Sequence, residues 1–215
     1  AAKKAAKGRL DYLIPIVKAW CSDNGTVLAN LAMQVFGGAG YIEETGIAQL
    51  VRDVRITAIY EGTNGVQAAD LARKTVSDKG SLVRTLLAEA QQPASELAAI
   101  EPATAEPLQR ALELAERSTA LLVQQHETNP AATALNAAAY LEQISLTLGA
   151  AALAQNFLAA RNAEARFGSA FCQAQQHTAR AYLAYVLPQA HACAERICQG
   201  AEPLLAVPFE AFASS

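Results

Sequence analysis

Apolar side chains recur at helical spacing along almost the whole chain, and this periodicity limits the fold more than any other feature of the sequence. In the first segment they fall at three- or four-residue steps, at Leu10, Ile14, Val17, Cys21, Leu28, Leu31 and Val35. The pattern fits one long helix or two abutting helices, because residues 22–25 form a polar break. We find no sustained alternation of the kind that a half-buried strand needs. The sequence therefore predicts an all-α protein.

Glycines and polar runs divide the first part of the chain into separate helices. The glycine-rich run at residues 37–40 should end the first helix, because glycine allows backbone conformations closed to other residues. A shorter helix is expected from about residue 44 to residue 58, and another from about residue 64 to residue 76. Thr63 or Asn64 can cap this last helix.

Beyond the polar residues 77–80 the sequence becomes dominated by Ala, Leu, Gln and Glu. We interpret this change as a boundary between a domain of residues 1–79 and a second, antiparallel helical bundle of residues 80–215. Its helices should end at four dipeptides, Gln92-Pro93, Glu101-Pro102, Asn129-Pro130 and Phe167-Gly168. The apolar, alanine-rich helix 131–160 should lie at the centre of this bundle, and Pro188 should kink the last long helix.

The composition argues against several classes of function. A formal charge of -3 gives no attraction for polyanions, so nucleic acid is not an expected partner. Apolar stretches such as residues 146–154 are too short to span a membrane. Four scattered cysteines without a C-x-x-C pair fit a reducing cytoplasm. The first residues resemble an arbitrary cut, which suggests a piece of a longer polypeptide.

Two motifs lie close together between residues 31 and 74. The first consists of Gln34, Gly37, Gly38, Gly40, Tyr41, Glu44 and Asp53. The second is Tyr-Glu-Gly-Thr at residues 60–63. Either motif alone is weak, but their joint order and spacing closely resemble the carboxy-terminal part of the acyl-CoA dehydrogenase family over residues 9–79. The sequence departs from the family pattern at Gln49, where a basic residue is usual, and at Gly65, where a longer polar side chain is common.

The resemblance implies α,β-dehydrogenation of an acyl-CoA thioester with FAD as cofactor. Glu61 matches the family's catalytic base, which removes the α-proton while the β-hydrogen leaves as hydride to the flavin. Gly62 matches a residue that lies against the acyl chain of the substrate. A solvated carboxylate is too weak a base for this proton, so we expect the complete site to exclude water around Glu61 and to stabilise the enolate.

The resemblance also implies where the cofactor binds. Thr63 and Asn64 match residues against the flavin, and Gln34, Gly37 and Gly38 match residues against the adenine-dinucleotide part of a neighbouring subunit's FAD. The intact protein would then be at least a homodimer that passes electrons to a separate acceptor. A plain helix-terminating turn would also explain the glycines, and it is compatible with the cofactor role.

The second region resembles the extra carboxy-terminal helical domain of a longer subgroup of the family, which includes the methylmercaptopropionyl-CoA dehydrogenases. The residues that carry this diffuse match are Ala179-Arg180-Ala181-Tyr182 and Leu187-Pro188. If the chain is a piece of such an enzyme, it should be inactive alone. The alternative is a non-catalytic helical dimerisation or scaffold module that retains a remnant of the motifs.

Other candidate residues favour structural roles. Arg52 and Asp53 are expected to form an ion pair and not to contact substrate. His191, Cys193 and Cys198 lack a fourth ligand and a suitable spacing, so no metal site is expected. Four aromatic residues at helical spacing should form a packing face, either within the chain or against a sister subunit, and they are Phe167, Phe171, Tyr182 and Tyr185.

Overall fold

The structure is a computed structural model that describes residues 2–208, apart from the side chains of Ala2, Lys4 and Ala5. These residues form α-helices joined by short turns, and none of residues 2–208 lies in a strand. The all-α prediction is therefore confirmed. The chain divides into two compact units, of which the first ends at Leu71 and the second begins at Ala72. The domain boundary that we placed after residue 79 stays a prediction.

The first unit contains one long helix and several short ones. In chain order they are α1 (Ala2–Val35), α2 (Gly38–Tyr41), a 3-10 turn (Glu43–Thr45), α3 (Ile47–Arg55), a second 3-10 turn (Ile56–Ala58) and the start of α4 (Asn64–Ser77). Helix α1 packs against α2, α3 and the second 3-10 turn.

The polar break expected at residues 22–25 lies inside α1, which continues through it. The Ser22 hydroxyl donates to the Lys18 carbonyl at 2.7 Å and so is satisfied within the helix. Gly25 serves packing, since a Cβ there would lie 2.9 Å from Cγ2 of Val54 on α3. A short polar stretch therefore does not end this helix, because its side chains bond back to the helix.

The apolar stripe that predicts α1 is not the face that α1 buries within this unit. All seven of its residues, from Leu10 to Val35, are exposed. The buried apolar side chains of the helix instead include those of Tyr12, Ile16 and Ala19. The sequence thus contains two apolar faces on one helix, and the first unit uses one of them.

The second unit is a bundle built around one central helix. In chain order its elements are α5 (Ser81–Ala98), α6 (Pro102–Thr128), α7 (Pro130–Ala160), α8 (Glu164–Phe167), α9 (Ser169–Ala181), a π-helical turn (Tyr182–Val186), α10 (Gln189–Cys198) and α11 (Glu202–Leu205). Helix α7 packs against α5, α6, α9 and α10, so its predicted central position is confirmed. Its many alanines permit close approach of these neighbours.

Helix α7 is also long and apolar enough to cross a membrane by length and composition, whereas the short stretch 146–154 had suggested otherwise. In the structure, 67% of its apolar 18-residue window is buried against the rest of the protein. A core helix of a bundle meets the same criterion, so this length is weak support for a membrane span.

Three of the four helix ends predicted in the second unit are confirmed, whereas the end at Pro93 and the kink at Pro188 are not. Helices end or begin at Pro102, Pro130 and Gly168 as expected. Helix α5 continues through Pro93, which is buried, because packing of its ring outweighs the one backbone hydrogen bond that proline cannot donate. Pro188 does not kink a continuous helix, since the preceding turn widens to π geometry and α10 starts after it.

Candidate functional site

The segment that carries the Tyr-Glu-Gly-Thr motif is a loop between the second 3-10 turn and α4. Its two central residues both have left-handed backbone, with φ of 55° at Glu61 and 86° at Gly62. In residues 2–208 the other non-glycine residue with positive φ is Lys79. Glycine adopts this conformation freely, whereas another residue loses about 1–2 kcal/mol. The loop therefore holds the candidate base in a strained conformation.

The residues after the loop begin α4 and fix one side of it. The backbone N–H of Val66 donates to the Thr63 hydroxyl at 3.4 Å, and that of Gln67 donates to the Thr63 carbonyl at 3.0 Å. Thr63 is thus the capping residue, which confirms one of the two that were predicted. The side-chain amide of Gln67 donates back to the Glu61 carbonyl at 3.1 Å.

Lys18 of α1 fixes the other side of the loop. Its ammonium group donates to the Gly62 carbonyl at 2.7 Å and to the side-chain oxygen of Asn64 at 2.8 Å. Both are charge-assisted hydrogen bonds of short length. One cation therefore joins the long helix, the end of the loop and the first residue of α4.

Asn64 is the centre of a polar network that attaches α4 to α1. Its amide nitrogen donates to the Ser22 hydroxyl at 2.8 Å and to the Asp23 carboxylate at 2.7 Å. The side chain is half-buried, and its oxygen already accepts from Lys18. The predicted contact of Asn64 with flavin stays a prediction, and in this conformation its backbone is the part left available.

Glu61 lies at the edge of an open cleft of about 300 Å³. The other residues that line this cleft are Lys18, Cys21, Val54, Thr57, Tyr60 and Ser22. The side chain of Glu61 is exposed, and within residues 2–208 its carboxylate has no hydrogen bond or ion pair. A carboxylate that is accessible at a cleft and free of partners can receive a proton from a molecule bound there.

The predicted cofactor residues Gln34, Gly37 and Gly38 lie at the end of α1, outside the lining of this cleft, and all three are exposed. Gly37 needs to be glycine for its backbone, which has φ 60° and ψ -145°. Gly40 needs to be glycine for packing, since a Cβ there would lie 2.6 Å from the Met33 carbonyl oxygen. A Cβ on Gly38 would meet nothing within 4 Å, so no contact among the described residues explains why this position is a glycine.

Arg52 forms an ion pair, but with a different partner from the one that we predicted. Its guanidinium donates to both oxygens of Glu43, at 3.0 and 2.8 Å, and this hydrogen bonding lowers the pKa of Glu43. The expected pairing with Asp53 is wrong, because successive residues on a helix project in different directions. The pair joins the first 3-10 turn to α3 on the exposed surface.

In the second unit the candidate metal ligands and the candidate aromatic residues differ in burial. No group of three or more His, Cys, Asp or Glu side chains in residues 2–208 could hold a metal ion. Burial and the nearby Glu142 raise the pKa of Cys193 to about 12, so this thiol is a poor ligand. Among the four aromatic residues, Tyr182 packs on α7 as predicted, and its hydroxyl donates to the Leu146 carbonyl at 3.3 Å. Tyr185 is 83% exposed and does not pack within the chain, so for this residue the packing face stays a prediction.

The other two aromatic residues pair with each other. The ring centroids of Phe167 and Phe171 lie 5.6 Å apart, and each side chain remains about half exposed. The guanidinium of Arg166 lies 4.9 Å from the centroid of the Phe167 ring. These residues form a small surface cluster and not a buried face.

Sequence reasoning missed two residues that shape the candidate site. Gln67 donates to the Glu61 carbonyl, and it is six residues after Glu61. Its position in the first turn of the helix that follows the loop is a local signal for a bond back to the loop. Lys18 is 44 residues from Gly62, and nothing in the spacing of the motifs indicates that the two meet.

An all-helical chain in which the Tyr-Glu-Gly-Thr motif lies in a loop before a helix agrees with the resemblance to the carboxy-terminal part of an acyl-CoA dehydrogenase. A family model described as "Acyl-CoA dehydrogenase, C-terminal domain" matches residues 1–76. A second one, described as "Acetyl-CoA dehydrogenase C-terminal like", matches residues 70–208. The chain therefore belongs to the acyl-CoA dehydrogenase family.

Curated relatives match a smaller part of the chain. The 3-methylmercaptopropionyl-CoA dehydrogenase of Ruegeria pomeroyi is 45% identical over 84 residues, which is 39% of this chain and 14% of the relative. A butyryl-CoA dehydrogenase of Syntrophomonas wolfei is 42% identical over 35% of this chain and 13% of its own length. A broad-specificity linear acyl-CoA dehydrogenase of Mycobacterium tuberculosis is 38% identical over 33% of this chain and 12% of its own length. The chain thus aligns with about one seventh of the length of these relatives.

Proposed function

We propose that this chain supplies the catalytic base of a flavin-dependent acyl-CoA dehydrogenase and that Glu61 is the base. The observation that carries the proposal is the conformation of the loop, in which a strained backbone holds an unpaired carboxylate at the edge of a cleft. Strain of this kind persists where surrounding structure maintains it, and it is concentrated at functional sites. Membership of the family supplies the chemistry that such a carboxylate would perform.

The proposed reaction is α,β-dehydrogenation of an acyl-CoA thioester. Glu61 takes the proton from the α-carbon, and FAD, when bound, supplies the acceptor for the hydride that leaves the β-carbon. Gly62 lies beside the acyl chain. The unpaired backbone amides at the start of α4, together with the amide of Glu61, favour negative charge on the thioester oxygen as the enolate forms.

The residues proposed to hold FAD are Gln34, Gly37, Gly38, Thr63 and Asn64. The open space around Gly37 and Gly38 supports this assignment, because an approaching dinucleotide would meet backbone without a side chain in the way. Thr63 is exposed two residues after Glu61, whereas Asn64 would contribute its backbone. The Gln34 and glycine contacts are proposed to reach the FAD of a neighbouring subunit, which requires a homodimer or a higher oligomer. We also propose that the enzyme passes its electrons to a separate acceptor and that it is located in the cytoplasm.

The chain alone is proposed to be inactive. Its cleft is open and the Glu61 carboxylate is exposed, so none of the described residues of the first unit excludes water from the base. The relatives are also far longer than the part that aligns with this chain. The purified chain should show no flavin absorbance and no acyl-CoA-dependent reduction of an artificial electron acceptor. Turnover by the chain alone would contradict this part of the proposal.

The central test uses the full-length flavoprotein with the change Glu61→Gln. Loss of the general base should lower α-proton exchange and dehydrogenation by about 10²- to 10⁴-fold, while flavin absorbance is retained. The matched control is Glu113→Gln, which removes an exposed carboxylate in the second unit and should leave both rates unchanged. Retained activity in Glu61→Gln would rule this residue out as the base. Absence of α-proton exchange in the unmodified full-length protein would favour the scaffold alternative.

A further inference from the structure

We propose that Lys18 is a positioning residue for Glu61: its ammonium group maintains the left-handed turn that directs the carboxylate into the cleft. The inference rests on the proposed role of Glu61 as the base. Lys18 touches the backbone of the loop and not the carboxylate, so it acts through the conformation of the loop.

The turn is held by one hydrogen bond on each of its two peptide carbonyls. The Glu61 carbonyl accepts from the side-chain amide of Gln67, and the Gly62 carbonyl accepts from Lys18. Two fixed carbonyls determine the orientation of the peptide planes on both sides of Gly62. The Glu61 carbonyl belongs to a peptide that adjoins the Glu61 Cα, so its orientation bears directly on the direction in which the Glu61 side chain leaves the backbone, and the Gly62 carbonyl fixes the next peptide along.

The strain at Glu61 explains why such bonds are needed. Left-handed backbone is unfavourable for glutamate, so the loop would relax towards negative φ if nothing opposed that change. Relaxation would rotate the Cα–Cβ bond and move the carboxylate relative to the cleft. Lys18 supplies the stronger of the two bonds, because its donor is charged and the bond is short.

Lys18 is itself held in place, which makes it suitable for this role. It lies in the interior of the long helix α1 and is half-buried. Its second hydrogen bond, to Asn64, fixes the ammonium group against the first residue of α4. Asn64 is bound in turn to Ser22 and Asp23, one helical turn after Lys18. The loop is thus attached to a rigid part of the first unit.

The test compares three variants of the full-length flavoprotein. Lys18→Met removes the ammonium group and keeps an unbranched stem, Lys18→Arg keeps a charged donor, and Lys7→Met removes an exposed lysine of the same helix as a control. Displacement of a base by about 1 Å can cost about 100-fold, so we expect a kcat loss of this order in Lys18→Met with little change in KM. Lys18→Arg should recover much of the loss, and Lys7→Met should match the parent protein.

The measurements distinguish positioning from general stability. Bound FAD, far-UV circular dichroism and the thermal midpoint should show that Lys18→Met is folded and loaded. An unchanged kcat in a folded, loaded Lys18→Met would overturn the inference. So would a kcat loss that only parallels loss of FAD or of helix content, because Lys18 would then be a structural residue. If Lys18→Met does not fold, Gln67→Met removes the other bond and should lower kcat with little change in KM. An unchanged kcat there would overturn the inference.

A double variant separates this inference from the proposed function. If Lys18 acts through Glu61, adding Lys18→Met to Glu61→Gln should cause little further loss, because the two changes are not additive. Retained activity in Glu61→Gln alone would refute the proposed function whatever Lys18 does. An inactive Glu61→Gln with an unaffected Lys18→Met would refute the positioning role alone.

Discussion

Arg180 on α9 donates to both oxygens of Glu101, the residue that precedes α6, through Nε at 3.0 Å and Nη2 at 2.6 Å. The hydrogen bonds from Arg180 are the largest cause that lowers the pKa of Glu101. The Thr104 hydroxyl also donates to this carboxylate at 2.9 Å. The same guanidinium lies 4.9 Å from the centroid of the Phe157 ring on α7. One ion pair thus connects the start of α6 with α9, which packs on α7.

The lowered pKa of Glu101 predicts how the stability of the second unit depends on pH. Because the folded pKa is below the unfolded one, near 4.5, the stabilisation is fully present above that value and is lost as pH falls through the folded pKa. Both side chains are partly exposed, so water screens the pair and Glu101→Gln should cost about 1 kcal/mol at pH 7. The difference between the parent chain and Glu101→Gln should shrink below pH 4.5 in urea unfolding followed by far-UV circular dichroism. A difference that is constant down to pH 3 would contradict the assignment.

Substitution by alanine should have opposite effects on stability at the two glycines that follow Glu61, Gly62 and Gly65. Gly62→Ala places a Cβ on a residue with φ of 86° and 3.2 Å from the Gln67 amide nitrogen, so it should lower the unfolding free energy by about 1–2 kcal/mol. Gly65→Ala places a Cβ in the first turn of α4, where the nearest other atom is 3.9 Å away, and should raise it by about 0.5 kcal/mol. The chain has one tryptophan, Trp20 on α1, so its fluorescence follows unfolding of the first unit. Equal effects of the two changes would argue against the left-handed loop.

A buried amide in the second unit predicts a stabilising substitution. Gln143 on α7 is fully buried, and neither polar atom of its side chain has a hydrogen-bond partner in residues 2–208. Gln143→Met removes both unpaired groups at similar volume, so it should raise the unfolding free energy by about 1–2 kcal/mol. Urea unfolding followed by circular dichroism measures this, and Trp20 identifies the transition of the first unit.

The control for Gln143→Met is Gln125→Met. The Gln125 side-chain oxygen accepts from the buried Asn136 amide at 3.3 Å, so this change leaves a polar group unpaired and should destabilise the chain. A destabilising Gln143→Met would show that the Gln143 amide has a partner such as an internal water.

Helical spacing and turn residues predict most elements of this fold but not which helix faces are buried. The α4 boundaries and the central position of α7 follow from local patterns, since capping and an all-round apolar composition are properties of short segments. The failures are at Pro93 and at residues 22–25, where packing and side-chain bonds sustain a helix that the local sequence disfavours. The exposed stripe on α1 has the same cause, because periodicity shows that a face is apolar but not what contacts it.

The candidate site divides in the same way. The motifs identify Glu61 and Gly62 as candidates, because their residue types and spacing are recorded in the sequence itself. The Lys18 contact, the paired carbonyls and the left-handed backbone at Glu61 become evident in the folded first unit alone. Glycine in the sequence signals that positive φ is permitted, whereas glutamate gives no such signal.

The sequence by itself determined the all-helical architecture, the family and the carboxylate that is proposed to act as base. Tertiary structure decided how that carboxylate is presented, which face of α1 is buried, and that Arg52 pairs with Glu43 and not with Asp53. The physical reason is the range of the interactions involved. Helix periodicity and capping act within a few residues, whereas the bond from Lys18 to the loop joins residues 44 apart and exists once the loop lies against α1.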